Sequence, residues 1–177
     1  MKKKIAIIGA GFFGISIAFF FLKKKFDVTI FEKNSDILTG ASRANQLRFH
    51  LGYHYPRSDK TLNEIQSMNK SFISFFGNDV FGKTQNFYGV AKKSSKTSFK
   101  KYKNFLKKSK LPFKIIKNHD FSEKIDGPII SKEKNLNYFK IKKKIRKILR
   151  KKKIKVKLNQ TLSKKDLLKY DKVIIAC

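Results

Sequence analysis

The chain opens with a long apolar stretch. The 18 residues between Lys4 and Lys23 carry a single polar side chain, Ser16. An apolar run of this length between lysines would suit a membrane-spanning helix. The same residues contain the spacing Gly-x-Gly-x-x-Gly, and "FDVTIFEK" behind them predicts a buried strand. Strand, glycine turn, helix and second strand fit within about 30 residues, the size of one βαβ unit.

The middle of the chain alternates helical and extended patterns. Apolar residues recur every three or four positions over 59–76, which predicts an amphipathic helix. The segments "NFYGVAKKS", "LPFKIIKN" and "DGPIISKE" predict strands, the last two around a turn at Gly127 and Pro128. The segment "TSFKKYKNFLKK" predicts a helix capped by Thr97 or Ser98.

The C-terminal part returns to an α/β pattern. An apolar stripe on a basic helix is predicted by Tyr138, Ile141, Ile145, Ile148 and Leu149. "IKVKLNQ" alternates like a half-buried strand, and "YDKVIIAC" ends in an apolar run typical of a central parallel strand. Such a strand normally continues into a covering crossover, so we expect a truncated chain.

Glu32 decides between the two interpretations of the apolar stretch. Gly9 follows the first strand, where a tight turn is needed, Gly11 would let the backbone approach a pyrophosphate, and Gly14 would let the helix pack closely on the strand. Glu32 ends the second strand 18 residues after Gly14, near the offset of about 20 at which an acid binds ribose hydroxyls. A membrane anchor gives no reason for an acid there, so dinucleotide binding is favoured.

Arginine and histidine concentrate in "SRANQLRFHLGYHYPR", residues 42–57, which holds three of the five arginines and two of the three histidines. Lysine supplies nearly all other positive charge in the chain. Arginine offers a planar fork for phosphate or carboxylate, and histidine can change its charge near neutral pH. We therefore interpret 42–57 as a functional segment.

Composition limits the remaining possibilities. A chain of 177 residues can form one ordinary domain and a small second lobe, and 41% hydrophobic residues argue against disorder. The net charge of +31 suggests nucleic acid or an anionic membrane as a binding partner. The chain is, however, rich in lysine, isoleucine, phenylalanine and asparagine, and this bias is equally expected from an AT-rich genome. The single cysteine, Cys177, indicates a cytoplasmic protein, and His50, His54 and His119 are too loosely spaced to predict a metal site.

The two N-terminal segments resemble a known family. "IAIIGAGFFGISIAFFFLKKKFDVTIFEK" followed by "GASRANQLRFHLGYHYPRS" resembles the N-terminal portion of FAD-dependent oxidoreductases of the D-amino-acid oxidase superfamily, and "YDKVIIAC" resembles a later strand of these proteins. The resemblance implies an α/β fold with a discontinuous, Rossmann-like FAD-binding domain at 1–59 and 138–177. It implies a partial α+β substrate lobe at 60–137. Members are considerably longer, so it also implies that the C-terminal part is missing.

The resemblance also implies roles for single residues. The glycines would hold the FAD pyrophosphate, Glu32 the adenosine ribose, and the segment after Asn45 would run beneath the isoalloxazine ring. Family chemistry is hydride transfer from a small amino or hydroxy acid to flavin N5, with Arg48 or Arg57 holding an anionic substrate's carboxylate. The implied cofactor-binding residues are Gly9, Gly11, Phe13, Gly14, Glu32, Lys33, Ser42, Arg43, Gln46 and Leu47, and the implied catalytic residues are His50, Arg48 and His54.

Three alternatives remain open. An NAD-dependent Rossmann oxidoreductase would leave segment 42–57 without a role, and Glu32 would repel the 2′-phosphate of NADP. A nucleic-acid-binding module is suggested by 82–118, which contains twelve lysines among aromatic residues and no acid. Lysines around an aromatic core explain that segment more simply. A membrane anchor is the third alternative.

Overall fold

The computed structural model describes residues 2–117 and 121–177, so His119 lies outside the described residues. The chain divides into two compact units, one of Met1–Asn45 with Tyr138–Cys177 and one of Gln46–Asn137. Residues 46–59, grouped with the cofactor domain above, belong to the second unit. In chain order the elements are β1 (Lys4–Ile8), α1 (Phe12–Lys23), β2 (Asp27–Phe31), β3 (Arg48–Phe49), α2 (Asp59–Phe76), a 3₁₀ turn (Asn78–Val80), β4 (Phe87–Ala91), α3 (Phe99–Lys108), β5 (Phe113–Ile115), β6 (Ile125–Ser131), β7 (Lys134–Asn135), α4 (Tyr138–Lys151), β8 (Lys155–Lys157), α5 (Lys164–Leu167) and β9 (Lys172–Ile175).

The first unit is built on a parallel four-stranded sheet of order β8-β2-β1-β9. The central strands are continuous buried runs, as expected when both faces of a parallel sheet are covered. Ile5, Ala6 and Ile7 of β1 have no exposed surface, and Val28 to Phe31 of β2 are buried beside them. The prediction of an α/β fold with a Rossmann-like parallel sheet is confirmed.

The opening apolar stretch forms β1, the glycine turn and α1, a helix of 12 residues. Among residues 2–117 and 121–177, no helix combines the length and the apolar character needed to cross a membrane. The helix buries Gly14, Ile15 and Ala18, which recur with helical spacing on one face. Its other side is open, since Phe13 is 81% and Phe20 56% exposed.

Helix α4 contributes the predicted apolar stripe, with Ile141, Ile145 and Leu149 buried. Asp36 anchors its polar side: the carboxylate lies 2.5 Å from both Lys142 Nζ and Arg146 Nη2. Burial raises the pKa of Asp36, but hydrogen bonds from these two cations outweigh it and hold the pKa below its ordinary value. This network joins α4 to the loop that follows β2.

The second unit combines an antiparallel sheet of order β4-β6-β5, the short pair β3-β7, and helices α2 and α3. Ser58 caps α2 by accepting a hydrogen bond from Thr61 N at 3.2 Å, and Ser98 caps α3, as predicted. In the lysine-rich segment, Tyr102 and Phe105 belong to this unit's core, other aromatic residues pack against it, and Phe87 is exposed. That core consists of Tyr53, Leu62, Tyr102, Phe105, Leu106, Leu111 and Ile129.

Two details of the second unit differ from the sequence prediction. Gly127 and Pro128 form no turn between strands but lie inside β6, where the pairing with β4 shifts register between Tyr88 and Val90. A bulge tolerates a proline that cannot donate to the ladder, and Gly127 supplies its φ of +47°. Helix α2 has the predicted bounds, but only Leu62 among its described residues is buried.

Candidate functional site

The turn between β1 and α1 lies at the carboxyl edge of the parallel sheet, where open α/β sheets bind ligands. Gly9 has φ +107°, and its N–H donates to Phe31 O at 2.8 Å. A Cβ on Gly9 would lie 2.8 Å from Ala176 O, and a Cβ on Gly14 only 2.0 Å from Gly9 O. Backbone surrounds both positions, so the turn requires glycine at each.

Gly11, the N-cap of α1, presents an open face to a ligand. Among residues 2–117 and 121–177, apart from its chain neighbours, a Cβ there would meet only the Ser42 hydroxyl, at 3.2 Å. Ser42 Oγ accepts a hydrogen bond from Phe12 N at 3.1 Å, and among the described residues no acid occupies the first turn. The other N–H groups of this turn and the positive end of the helix dipole therefore favour an anion.

Glu32 stands at the end of β2 beside this turn and is 8% exposed. Its carboxylate accepts hydrogen bonds from Ala10 N at 2.8 Å, Asn34 N at 3.0 Å and Asn34 Nδ2 at 2.8 Å. A carboxylate has about four acceptor positions, so these bonds leave one for a ribose hydroxyl. Asn34 was missed in the sequence; its spacing two residues after Glu32 is a signal for this kind of local contact.

The remaining predicted cofactor residues are divided between the units. Lys33 and Arg43 are exposed on the first unit, and the exposed ring of Phe13 lies in the first turn of α1. Gln46 and Leu47 belong to the second unit. Leu47 has φ +48°, a conformation that costs a bulky residue roughly 1–3 kcal/mol and concentrates at functional sites.

The first unit fits a dinucleotide by its own geometry. The glycine turn brings backbone N–H groups to the sheet edge, and Gly11 leaves the approach to them open. Glu32 is held beside the turn by Ala10 N and keeps one acceptor position. The phosphates and the ribose of a dinucleotide need these two features.

A polar group in the second unit brings together Arg48, His50, Tyr88 and Glu133, which we name the Glu133 cluster. Glu133 is 3% exposed and accepts hydrogen bonds from Leu51 N at 2.7 Å and from the Tyr88 hydroxyl. His50 Nδ1 lies 3.8 Å from Glu133 Oε1. The guanidinium carbon of Arg48 lies 5.1 Å from the centroid of the Tyr88 ring.

Two buried polar atoms of the Glu133 cluster, Arg48 Nε and His50 Nδ1, have no hydrogen-bond partner among the described residues. Buried polar atoms are nearly always hydrogen-bonded, so an unpaired one needs an explanation such as a catalytic role or an absent ligand. Here two of them occur on neighbouring side chains that the sequence had marked as candidates.

Burial sets the protonation states in this cluster. It lowers the pKa of His50 below its ordinary value; Glu133 opposes the shift, while the charges of Arg48 and His54 add to it. Burial, followed by the hydrogen bond to Glu133, raises the pKa of Tyr88. At neutral pH His50 is therefore a neutral base, and Tyr88 keeps its proton.

His54 and Arg57 line an open cavity of about 540 Å³ in the second unit. Tyr88 and Lys96 also line it, so cationic and aromatic groups face one space. Arg48 and His50 belong instead to the Glu133 cluster, with Tyr88 common to both places. Sequence reasoning missed Glu133 and considered Tyr88 only as a stacking aromatic of a nucleic-acid-binding module, because no motif marks either residue.

The family model described as FAD dependent oxidoreductase (DAO) matches residues 4–115. The chain belongs to this family. The match includes the glycine turn, Glu32 and the whole of segment 42–57. The predicted family and its cofactor, FAD, are thereby confirmed.

Among curated proteins, the FAD-dependent monooxygenase FPY4 of Fusarium mangiferae is 30% identical over 109 residues, which cover 62% of this chain and 30% of that protein. The FAD-dependent monooxygenase kojA of Aspergillus flavus is 38% identical over 73 residues, 41% of this chain and 17% of that protein. The chain therefore matches less than a third of the length of either relative.

Solved structures share the fold over most of the chain. Glycine oxidase from Geobacillus kaustophilus matches with a TM-score of 0.60 and 14% identity, covering 89% of this chain and 47% of that one. L-proline dehydrogenase from P. horikoshii matches with a TM-score of 0.62 and 16% identity, covering 92% of this chain and 45% of that one. L-alpha-glycerophosphate oxidase from Mycoplasma pneumoniae, solved with FAD bound, matches with a TM-score of 0.60 and 14% identity. The match covers 92% of this chain and 46% of that one. The chain spans just under half the length of these proteins.

Proposed function

We propose that the chain holds FAD on its first unit and takes part in the oxidation of a small anionic amino or hydroxy acid by hydride transfer. The observation that carries the proposal is the glycine turn with Glu32 held beside it by Ala10 N. Family membership identifies the dinucleotide as FAD. The flavin, when bound, supplies the acceptor for the hydride and its electron pair.

The proposal gives each cofactor contact a physical reason. The N–H of Gly11 and those of the first turn of α1 that Ser42 does not cap donate to the pyrophosphate, because a helix leaves its first N–H groups without an intrahelical partner. The N–H of Ala10 is already held by Glu32. Glu32 accepts from the adenosine ribose. Ser42 and Arg43 add phosphate contacts, and Phe13 and Lys33 border the dinucleotide. Gln46 and Leu47 belong to the segment that would run beneath the isoalloxazine ring.

The second unit would supply the substrate contacts. Arg57 lines the open cavity together with His54, and its planar guanidinium can hold a carboxylate with two parallel hydrogen bonds. Arg48 has a buried donor without a partner among the described residues. His50 is a neutral base at neutral pH and would accept the proton that leaves the substrate's amino or hydroxyl group.

Flavin binding tests the first half of the proposal. The purified chain is titrated with FAD, and binding is followed by flavin fluorescence and the visible spectrum. The Gly11→Ala variant should bind at least about tenfold more weakly, because its methyl group obstructs the backbone approach while meeting only the Ser42 hydroxyl in the protein. Gly40→Ala is the matched control, because no atom of the residues that the structure describes, other than its chain neighbours, lies within 4 Å of the added Cβ. A folded wild-type chain that fails to bind FAD would overturn the proposal.

Substrate kinetics test the second half. With FAD-loaded protein, a panel of amino and hydroxy acids is compared with the corresponding amines and alcohols that lack the carboxylate. Arg57→Ala and Arg48→Ala should each lower kcat/KM for the acids by about tenfold or more and leave the decarboxylated compounds unaffected. Unchanged kinetics in both variants would contradict the assignment of these arginines.

A second candidate reaction comes from the curated relatives, because both are named FAD-dependent monooxygenases. A monooxygenase inserts one atom of molecular oxygen into its product, whereas an oxidase releases hydrogen peroxide. Turnover under isotope-labelled oxygen separates the two reactions: label in the organic product would favour the monooxygenase, and unlabelled product with peroxide would favour the oxidase.

We also propose a cytoplasmic location, on the basis of the single cysteine, Cys177. Fractionation of the source cells with an antibody against the chain tests it. Recovery in a membrane or extracellular fraction would contradict this location.

A further inference from the structure

We propose that Glu133 is the positioning residue of His50: its carboxylate holds the ring hydrogen of neutral His50 on Nδ1 and leaves Nε2 free to accept the substrate's proton. The role of Nε2 rests on the proposed function. The placement of the hydrogen rests only on the geometry of the Glu133 cluster.

Strand pairing places the two residues together. In the antiparallel pair β3-β7, Arg48 lies opposite Asn135 and Phe49 opposite Lys134. Extending this register by one residue sets His50 opposite Glu133, at the position of a cross-strand neighbour. His50 is also held through its backbone, since Asn69 Nδ2 donates to His50 O at 2.8 Å.

The carboxylate of Glu133 is fixed before any substrate binds. Its side chain has no exposed surface. Oxygen Oε1 accepts from Leu51 N at 2.7 Å, and Oε2 accepts from the Tyr88 hydroxyl. Because Leu51 follows His50 directly in the chain, the same oxygen that binds this backbone N–H also lies 3.8 Å from His50 Nδ1.

Nδ1 is the ring atom on which the hydrogen belongs. It is buried and lacks a hydrogen-bond partner among the described residues. A bare Nδ1 would direct its lone pair at a carboxylate, whereas an N–H there is attracted to it. The present 3.8 Å exceeds the length of an N–H···O bond, about 2.7–3.2 Å, so a full bond forms only after a small approach.

Of the other groups around His50, Arg48 has only donors and cannot accept this hydrogen. The charges of Arg48 and His54 oppose a positive charge on the ring, and the ring centroid of His54 lies 6.4 Å from that of His50. The ring centroid of Tyr55 lies 6.2 Å from that of His50. Of these neighbours, only Glu133 favours the protonated ring, so it is the group that would stabilise the imidazolium.

The proton and electron balance is simple. Bound FAD would supply the acceptor for the substrate's C–H hydrogen and its electron pair. The substrate's O–H or N–H proton would move to His50 Nε2 as a C=O or C=N bond formed. His50 then carries a positive charge, and Glu133 stabilises it through Nδ1. Glu133 itself exchanges no proton with the substrate.

Nuclear magnetic resonance of the full chain without flavin or substrate tests the inference. Long-range proton–nitrogen spectra show which ring nitrogen carries the hydrogen, and a His50→Gln variant assigns the His50 signals among the three histidines. We expect the Nδ1–H form in the neutral wild-type ring. The Nε2–H form would overturn the inference, and this measurement needs no variant at Glu133.

A pH titration of the same signals provides the second test. Glu133→Gln should lower the pKa of His50 by about 1 unit or more, since an opposite charge at this range raises it by that amount. Glu64→Gln, which removes an exposed carboxylate from the same unit, should leave it unchanged, and Glu133→Asp should restore part of the loss. A Glu133 that only supports the fold would change stability and not this pKa. Failure to bind FAD would defeat the proposed function and leave both results intact.

Discussion

Replacing Gly14 by alanine tests the strand-turn-helix geometry directly. The added Cβ would lie 2.0 Å from Gly9 O and 3.1 Å from Gly9 C, both backbone atoms of the preceding turn. Rotation of a side chain cannot relieve this contact. Helix α1 would have to move away from the turn, and the face that buries Ile15 and Ala18 would loosen.

The expected cost follows from two opposing terms. Alanine is favoured over glycine inside a helix by about 1 kcal/mol. Forcing a methyl group into a filled site costs about 1–3 kcal/mol, and more when backbone must shift. Because the obstruction here is backbone, we expect Gly14→Ala to lower the free energy of unfolding by about 3 kcal/mol, or Tm by about 6–12 °C for a chain of this size.

Urea and thermal unfolding, followed by circular dichroism, measure this cost in a series of three glycines of the same unit. Gly11→Ala places its methyl 3.2 Å from the Ser42 hydroxyl, and within the described parts of the chain Gly40→Ala meets nothing within 4 Å beyond its chain neighbours. Gly40→Ala should be neutral or stabilising by up to about 1 kcal/mol, and Gly11→Ala should cost at most about 1 kcal/mol. A Gly14→Ala variant as stable as Gly11→Ala would refute the close packing of α1 on the turn.

Two further predictions concern titratable groups, the buried Glu32 and the half-buried His50. Glu32→Gln should lower the free energy of unfolding by about 1–3 kcal/mol, because an amide cannot accept all the hydrogen bonds that the buried carboxylate receives. Urea unfolding measures this cost, and the exposed Glu64→Gln should cost much less. Equal costs for the two variants would contradict the hydrogen bonds assigned to Glu32. The pKa of His50 is lowered from 6.5 on folding, so the unfolded chain binds more protons than the folded chain as the pH approaches and passes below that value. The free energy of unfolding should therefore fall as the pH is lowered from about 7.5 to about 5.5. His50→Gln should remove part of this fall, and an undiminished fall would count against a lowered pKa of His50. The contribution of Asp36, whose pKa is lowered from 3.8, is present above that value and is lost only at lower pH.

Local pattern predicted most elements of secondary structure, because strand and helix periods are written in neighbouring residues. The βαβ unit, the bounds of α2 and the Ser98 cap of α3 follow the sequence. The prediction failed where tertiary contacts outweigh local preference. Gly127 and Pro128 suit a turn, yet pairing with both β4 and β5 draws them into β6.

The candidate cofactor site was accessible to sequence reasoning for the same reason. The three glycines, Glu32 and Ser42 lie within a short stretch of chain, and their spacing reflects the fixed size of a strand, a turn and a helix. Even there, the structure added Asn34 and the hydrogen bond from Ala10 that holds the Glu32 carboxylate.

The sequence by itself determined the family, the cofactor and the β1-α1-β2 unit of the parallel sheet, because each is encoded by residues close together in the chain. Only the tertiary structure decided which acid serves His50. Glu133 is separated from Leu51 by 82 residues, and no local pattern distinguishes it from the other acids of the chain. The pairing of β3 with β7 brings it opposite His50, and its buried carboxylate is held there by Leu51 N and the Tyr88 hydroxyl, 3.8 Å from His50 Nδ1.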